Sequence, residues 1–138
     1  MGRILGVDYG DSRIGLAISD LNKIIASPFK TIKNEGGHRL KDEFKNIIID
    51  NEIEDIVLGL PISLSGKETK QTVKVRDFFK FLEDFNVPVH MQDERLSSLS
   101  AKKSLIEQKV KTGHNKHLID STAAAIFLQQ FIDSNLFK

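Results

Sequence analysis

Two strand-like runs separated by a short polar turn lie near the start of the sequence, and they constrain the fold more than any other feature. Residues 4–7 are all apolar or glycine and lead directly to Asp8, whereas residues 13–19 alternate, with every second side chain a large aliphatic one. Two such runs joined by a short loop that contains glycine predict a β-hairpin. The lack of alternation in the first run is typical of a strand buried on both faces, so we expect that strand to be central in its sheet.

Asp8 stands where this central strand ends. Because side chains alternate along a strand, Ile4, Gly6 and Asp8 share one face. A carboxylate at the end of a buried strand requires a hydrogen-bond partner, a proton or a metal ion. We interpret Asp8 as a metal ligand; the alternative is an acid that accepts hydrogen bonds from turn amides.

The remaining sequence alternates between strand-like and helix-like segments. Its periodicity predicts further strands over residues 23–32, 54–60 and 87–91. Helices are predicted over residues 39–51, around residues 75–82, from Ser97 or Ser98 onward, and from Asn115 to Ile132. Pro28 indicates that the third strand lies at an edge of the sheet or carries a bulge.

The order of these segments predicts an α/β fold in a single domain over residues 1–138. Right-handed crossovers place the fourth and fifth strands parallel to the first. The expected sheet is therefore mixed and five-stranded, with the first three strands antiparallel, the last two parallel to the first, and helices on both faces. The carboxyl ends of the parallel strands then lie at the same edge as Asp8, where sites form in sheets of this kind.

The composition is that of an ordinary globular protein, with 40% apolar and 28% charged residues. The absence of cysteine excludes disulfides and thiolate chemistry. The sequence shows neither a signal-peptide pattern nor an apolar run of membrane-spanning length. We therefore expect a cytoplasmic protein without a membrane partner.

Three further acids are predicted to lie at the same edge of the sheet as Asp8. Asp93 and Glu94 directly follow the last predicted strand, and Asp120 lies one turn before two alanines on the apolar side of the last helix. Each acid has a simpler explanation when it is taken alone. Asp93 could be a turn acid, Glu94 could pair with the adjacent arginine, and Asp120 could be a helix-start acid favoured by the macrodipole.

Several carboxylates at one edge repel one another unless a cation lies between them. Oxygen ligands suit Mg²⁺ or Mn²⁺, and we predict that Asp8, Asp93, Glu94 and Asp120 bind such ions. Two ions in one site support hydrolysis of a phosphodiester, because one activates the attacking water and the other stabilises the leaving oxygen. The acids therefore predict a metal-dependent nuclease.

The formal net charge of +1 gives no overall attraction to nucleic acid, but the basic residues are clustered. Local basic patches contact phosphates without a basic total, although solvated helix faces are an alternative interpretation. We interpret His114 and His117 as solvated or phosphate-contacting side chains rather than as a metal-binding pair. The predicted nucleic-acid contacts are Arg13, Lys67, Lys70, Arg95, Lys102, Lys111, His114 and Lys116.

Four segments of the sequence resemble the YqgF family, also called RuvX-like, whose members are described as pre-16S rRNA nucleases or Holliday junction resolvases. These segments are residues 4–19, 56–61, 93–98 and 119–128. They occur in the family's order, and the similarity extends over nearly the whole chain. Each segment alone is a weak signal, whereas the four together are very specific.

The resemblance implies a ribonuclease H-like fold, with which the strand order derived above independently agrees. It also implies a metal-dependent nuclease that matures the 5′ end of 16S rRNA during ribosome biogenesis. The acids that match the family's catalytic positions are Asp8, Glu94 and Asp120, and Asp93 is the weaker match.

Two positions depart from the family's pattern. Asp11 stands where the family often has threonine, which could alter the loop beside the site. The segment before Asp120 contains Gly113, His114 and His117 where many relatives are richer in lysine and arginine. Because unperturbed histidines are mostly uncharged at neutral pH, this difference could weaken binding to the nucleic-acid backbone.

Three alternatives stay open at the level of sequence. A Holliday junction resolvase would share this chemistry, cut branched DNA and present two sites as a dimer. The sequence of this chain does not decide between a monomer and a weak homodimer. A phosphatase or kinase of the actin and sugar-kinase type has a similar hairpin but requires two such domains, and this chain has length for one. A non-catalytic RNA-binding module on the same fold would still bind RNA after the acidic residues are substituted, and it would cleave nothing with any metal.

Overall fold

The computed structural model describes residues 2–60, 69–93 and 116–135. The strands are β1 (Arg3–Tyr9), β2 (Arg13–Ser19), β3 (Ala26–Lys33), β4 (Ile53–Leu60) and β5 (Val89–Asp93). The helices are α1 (Gly37–Asp50), α2 (Lys70–Glu83) and α3 (Lys116–Asn135). Along the described residues, strands and helices follow one another in the predicted order.

The five strands form one mixed sheet in the order β3-β2-β1-β4-β5. β1 pairs antiparallel with β2, β2 pairs antiparallel with β3, and β4 and β5 extend the other side of the sheet in parallel with β1. The predicted topology and the central position of β1 are confirmed. β3 is an edge strand, and its pairing with β2 shifts register between Leu16 and Ala17, beside Pro28, so both roles predicted for this proline are confirmed.

Helices cover both faces of the sheet, as predicted. α1 and α2 pack on one face, where the core includes Leu5 and Phe44. α3 packs on the other face, where the core includes Ile4, Phe127 and Leu128. The unbroken apolar run of β1 follows from this arrangement, because alternate side chains of the strand enter two different cores.

The third strand begins at Ala26 rather than at residue 23. Asp20 explains the difference, because its Oδ1 accepts hydrogen bonds from the backbone N–H groups of Ile24 (2.7 Å) and Ile25 (2.9 Å) and holds this segment in a turn. The bonds from Ile25 and Ile24 lower the pKa of Asp20 below its usual value. Lys23 adopts a φ of 58°, which is incompatible with a continuous strand.

The fifth strand also starts later than predicted, at Val89 instead of residue 87, and it continues to Asp93 instead of ending at residue 91. Asn86 has a φ of 59°, and Pro88 has no N–H to donate to a ladder, so neither residue favours the start of a strand. The later end matters for the site, because it makes Asp93 a strand residue whose face is fixed by the sheet.

The described helices lie close to their predicted ranges. α1 begins two residues earlier than predicted, and α2 begins after Thr69, whose Oγ1 accepts from the N–H of Thr72 (3.3 Å) while the Thr72 Oγ1 accepts from the N–H of Thr69 (2.9 Å). α3 continues to Asn135, three residues beyond the prediction. The helix predicted from Ser97 or Ser98 and the cap predicted at Asn115 lie outside the described residues. None of the three helices described above combines the length and the apolarity needed to cross a membrane.

Ser19 fixes the end of the hairpin opposite the turn. Its buried Oγ accepts a hydrogen bond from the N–H of Ile4 (2.8 Å) and donates one to the carbonyl oxygen of Asp20 (2.9 Å). Ser19→Ala leaves the Ile4 N–H without this acceptor, so we expect a loss of about 1–3 kcal/mol in the free energy of unfolding, measured by urea denaturation. Ser27→Ala, at an exposed position on β3, is the control and should change stability by less than about 0.5 kcal/mol. Equal effects of the two substitutions would contradict this role for Ser19.

Candidate active site

A pocket of about 250 Å³ lies at the end of the sheet where β1 leads into β2. Asp8 lines it from the penultimate position of β1, and Asp120 lines it from the second turn of α3. The structure therefore brings together two of the predicted acids at the sheet edge where we expected them. The hairpin supplies the rest of the lining: Tyr9, Gly10, Asp11, Ser12 and Arg13.

Asp8 is partly exposed rather than buried. Burial along β1 falls from the fully buried Val7 to the half-buried Asp8 and Tyr9, because the strand leaves the two cores at this point. A partly exposed carboxylate keeps some of its hydration. The free-energy cost of desolvating its charge is therefore smaller than for the buried carboxylate that the sequence suggested. The same exposure makes the carboxylate accessible to a cation or a substrate from solvent.

Gly15 determines how closely α3 approaches the hairpin. A Cβ at this position would lie 2.4 Å from the carbonyl carbon of Asp120 and 2.5 Å from its carbonyl oxygen. No side chain larger than hydrogen fits in that space, which is the usual reason for a glycine inside a strand that another backbone approaches. The contact fixes the backbone of Asp120 against β2, and it thereby fixes the position of the carboxylate relative to Asp8.

Arg13 and Asp120 form an ion pair within the pocket. The Arg13 Nε donates to the Asp120 Oδ2 at 3.0 Å, and the two side chains are 44% and 28% exposed. A pair with this exposure contributes at most about 1 kcal/mol to stability. Its larger consequence is electrostatic, because the guanidinium reduces the repulsion between the carboxylates of Asp8 and Asp120.

The pocket loop, residues 10–12, is held by the segment that follows β3. The side-chain Nδ2 of Asn34 donates to the carbonyl oxygen of Gly10 at 2.8 Å, and the backbone N–H of Asn34 donates to the carbonyl oxygen of Ser12 at 2.9 Å. Asn34 therefore satisfies carbonyl groups on both sides of the turn. The end of β3 and the pocket loop are consequently fixed relative to each other.

α2 holds the same end of the hairpin from another side. Lys74 Nζ lies 3.1 and 3.2 Å from the two carboxylate oxygens of Asp11, and the Gln71 side chain donates to the carbonyl oxygen of Tyr9 at 3.4 Å. The ring of Tyr9 packs on that of Phe78, with 4.6 Å between centroids. Asp11, which departs from the family's pattern, thus connects the pocket loop to α2.

Asp93 lies on the other face of the sheet from Asp8. The register aligns Val7 with Leu58 of β4 and Leu58 with Met91 of β5, so the following residues on the face of Asp8 are Gly59 and Gln92. Asp93 lies one residue further along β5 than Gln92, so its side chain faces the opposite side of the sheet. Side-chain packing agrees with this alternation, because the ring of His90 contacts that of Phe131 in α3 in a tilted arrangement whereas Met91 packs with the core beneath α1 and α2. Asp93 is not among the described residues that line the pocket, and its binding of a metal ion stays a prediction.

Several other predicted site residues lie outside the described residues. Lys70 is described, and it is the exposed first residue of α2. Lys116 is the first residue of α3. Six predicted site residues lie in the parts of the chain that are not described. They are the acid Glu94 and the nucleic-acid contacts Lys67, Arg95, Lys102, Lys111 and His114.

Sequence reasoning missed the residues that position the pocket. The sequence does not single out Asn34 or Lys74, because their partners in the pocket loop are 24 and 63 residues away in the chain. Gly15 carried a usable signal, since a glycine inside an alternating strand indicates that another backbone approaches closely.

The pocket fits part of a site for a divalent cation. Carboxylate oxygens are the ligands that Mg²⁺ and Mn²⁺ prefer, and Mg²⁺ commonly takes only one or two protein carboxylates together with water. Within residues 2–60, 69–93 and 116–135, no group of three or more acids, histidines or cysteines is placed to hold an ion. Asp8 and Asp120 would supply two of the ligands of such an ion, and a third carboxylate would complete the set.

Comparison with known proteins gives matches over nearly the whole chain. Residues 2–134 match the family model described as RuvX, Holliday junction resolvase. A protein of Dictyoglomus thermophilum is 38% identical over 134 residues, which cover 96% of each chain, and one of Clostridioides difficile is 40% identical over 133 residues, which cover 96% of this chain and 94% of the relative. Both carry the name "Putative pre-16S rRNA nuclease".

Solved structures with the same fold are much more distant in sequence. Thermus thermophilus RuvC in complex with a Holliday junction substrate has a TM-score of 0.61 at 13% identity, covering 99% of this chain and 96% of RuvC. The fowlpox virus resolvase in complex with Holliday junction DNA has a TM-score of 0.57 at 14% identity, covering 99% of both chains. At these identities the likeness establishes the fold, which is the predicted ribonuclease H-like one.

Proposed function

We propose a function from one premise: this chain belongs to the RuvX family. Members of the family are hydrolases that cleave phosphodiester bonds, so the chain is a nuclease and its partner is nucleic acid. We propose that cleavage depends on Mg²⁺ or Mn²⁺ and that its substrate is the 5′ end of pre-16S rRNA. The observation that carries this proposal is the convergence of Asp8 and Asp120, with Arg13, in one pocket at the end of the central strand.

Asp8 and Asp120 are the residues that would hold the ion. A bound divalent cation would supply Lewis-acid activation of the attacking water and would stabilise the charge on the leaving oxygen. The two carboxylates come from elements whose relative position is fixed by the contact between Gly15 and α3. They are therefore held in place before substrate binds, and this preorganisation avoids an entropic cost during the reaction.

Glu94 is the third acid of the proposed site. It follows Asp93 directly in the sequence, it lies outside the described residues, and it matches one of the acids that the resemblance to the family implies. Asp93 faces away from Asp8, so we propose Glu94 rather than Asp93 as the third acid. We accordingly propose Asp8, Glu94 and Asp120 as the catalytic set.

Arg13 is proposed to bind the phosphate that is cleaved. Only its Nε contacts Asp120, and a guanidinium carries five N–H donors in a planar fork that suits phosphate oxygens. Its position inside the pocket places this charge beside the acids rather than on a distant surface. Lys70, at the exposed start of α2, and the predicted basic residues outside the described ranges would extend the contacts to the backbone of the nucleic acid.

A substrate panel tests the proposal. The purified chain is incubated with a precursor of 16S rRNA, a four-way DNA junction and an unstructured RNA strand, each with Mg²⁺, with Mn²⁺ and with EDTA. We expect cleavage of the precursor near the mature 5′ end with either ion, at a rate at least about tenfold above that of the other substrates, and none with EDTA.

The other outcomes of this panel identify the alternatives. Symmetric cutting of the four-way junction in preference to the precursor would favour a resolvase, which is the description of the matched family model. Binding of the precursor without cleavage under any metal condition would instead indicate a non-catalytic RNA-binding module. Cleavage that persists in EDTA would contradict the proposed dependence on metal.

A further inference from the structure

We propose that Lys33 binds the backbone phosphate next to the one held by Arg13, so that the nucleic-acid strand passes from the pocket across the ends of β2 and β3. The inference rests on the proposed function, because it takes the pocket of Asp8 and Asp120 as the place where the phosphodiester is cleaved. The inference gives the path of the nucleic-acid strand across the protein surface. It also gives Lys33 a role in phosphate binding that the sequence around this residue does not indicate.

The sheet register places Lys33 beside Arg13. The two residues are directly opposite each other in the antiparallel pairing of β2 with β3. Opposed residues of an antiparallel pair have Cα atoms about 4.5–5.5 Å apart and project from the same face. The next such pair on that face is Gly15 with Thr31, and Gly15 faces α3. Lys33 therefore starts from the face that carries the pocket.

The backbone at Lys33 is also anchored to the pocket loop. The residue that follows it, Asn34, makes the two hydrogen bonds to the carbonyl groups of Gly10 and Ser12 described above. Ser12 is exposed and lines the pocket. The base of the Lys33 side chain thus has a fixed distance from the pocket, and only the flexible stem has to adapt to a ligand.

Lys33 makes no ion pair with the residues that the structure describes, although it lines a second pocket together with Glu35, Asp42 and Glu43. None of the carboxylates in that part of the chain lies within ion-pair distance of its ammonium group, and the nearby Glu35 pairs with Arg39 at 3.3 Å. Two cations directly opposite each other in a sheet destabilise it unless an anion lies close to them. The carboxylate of Asp120 is such an anion for Arg13. In the proposed complex, a backbone phosphate of the nucleic acid is the anion for Lys33.

The same strand offers a matched control. Lys30 is exposed, lies three residues before Lys33 and starts from the opposite face, where its partner in β2 is the buried Leu16. Its ammonium lies 5.4 Å from the centre of the Phe29 ring. Lys33→Ala and Lys30→Ala therefore remove the same charge from the same strand and differ in the face from which they remove it.

Binding of a fluorescently labelled single-stranded RNA is measured by anisotropy in EDTA over a range of salt concentrations, which separates binding from metal-dependent cleavage. We expect Lys33→Ala to weaken binding about threefold to tenfold at low salt and to reduce the salt slope by about 0.7, because one phosphate contact is lost. Lys30→Ala should leave both quantities at the wild-type value. Equal effects of the two substitutions, or no effect of Lys33→Ala, would overturn the inference. Thermal unfolding of each variant confirms that the fold is intact.

Phosphate replacement then locates the contact. A series of RNA strands carries one neutral methylphosphonate linkage at a time, and each is titrated against wild type and Lys33→Ala. We expect one position at which neutralisation weakens binding to wild type but not to the variant, since the two changes remove the same interaction. Additive effects at every position would show that Lys33 makes no specific phosphate contact. These binding results do not depend on cleavage, so a failure of the nuclease proposal would appear separately, as an absence of product in the substrate panel.

Discussion

Asp8→Asn is expected to reduce cleavage by at least about a thousandfold, which corresponds to about 4 kcal/mol in the activation free energy. The amide has nearly the same size as the carboxylate but carries no charge, so it can neither hold a divalent cation well nor balance the charges in the pocket. Because Asp8 is partly exposed at the end of β1, the substitution leaves both cores unchanged. We therefore expect wild-type thermal stability and retained binding of RNA, with cleavage followed in single-turnover reactions.

Two further isosteric substitutions sharpen this experiment. Glu94→Gln should produce a loss comparable to that of Asp8→Asn if Glu94 completes the site. Asp93→Asn removes the same charge from the adjacent residue, on the face directed away from the pocket, and should retain most of the activity. A severe loss in Asp93→Asn with normal activity in Glu94→Gln would contradict the assignment from the register. Undiminished cutting by Asp8→Asn would indicate a different site or a contaminating nuclease.

Gly15→Ala is expected to cause the second largest effect, because it damages stability and the site together. The added methyl group would lie 2.4 Å from the backbone of Asp120, so α3 has to move away from β2 or β2 has to bend. Overpacking of this kind costs about 1–3 kcal/mol or more, a large share of the stability of a domain of this size. Displacement of α3 also moves the Asp120 carboxylate, and we expect cleavage to fall by about a hundredfold even where the chain is fully folded.

Gly6→Ala provides the comparison for this prediction. Gly6 faces the same helix from β1, but a methyl group there would lie 3.1 Å from the Leu128 Cβ and 3.2 Å from the Ala124 carbonyl oxygen, which requires a shift of only a few tenths of an ångström. Its effect on stability should be smaller, and its effect on cleavage smaller still, because Leu128 lies two turns from Asp120. Stability is measured by urea denaturation. Activity is measured without denaturant, at a temperature well below the melting points of both variants. Equal activity losses in the two variants would contradict a special role for the contact at Gly15.

The sheet could be predicted from the sequence because its signals are local and consistent. The apolar run before Asp8 identified the central strand, Pro28 identified the edge, and the alternation of strands and helices determined which strands are parallel. Element ends were predicted less well where a single side chain decides them. Asp20 closes a turn with two backbone N–H groups, and no periodicity reveals that the following isoleucines lie outside the strand.

The site could be predicted only in part, for a reason of geometry. Strand order places Asp8 at this edge, and the position of Asp120 near the start of the last helix, on its apolar side, brings it to the same edge. Whether Asp93 shares the face of Asp8 depends on the exact register and on where β5 ends, and a shift of one residue reverses the answer. The supports of the pocket loop, such as Asn34 and Lys74, depend on side-chain contacts between distant segments, which a single sequence does not record.

The pairing of Arg13 with Asp120 has a consequence for biosynthesis. Asp120 comes 107 residues after Arg13 in the chain, and the face of the sheet that receives α3 stays uncovered until that helix has been made. Because a domain generally folds as a unit, we expect the pocket to form only after α3 has been synthesised. A nascent chain without α3 therefore lacks Asp120 in the pocket, and we expect it to have no nuclease activity until that helix packs on the sheet.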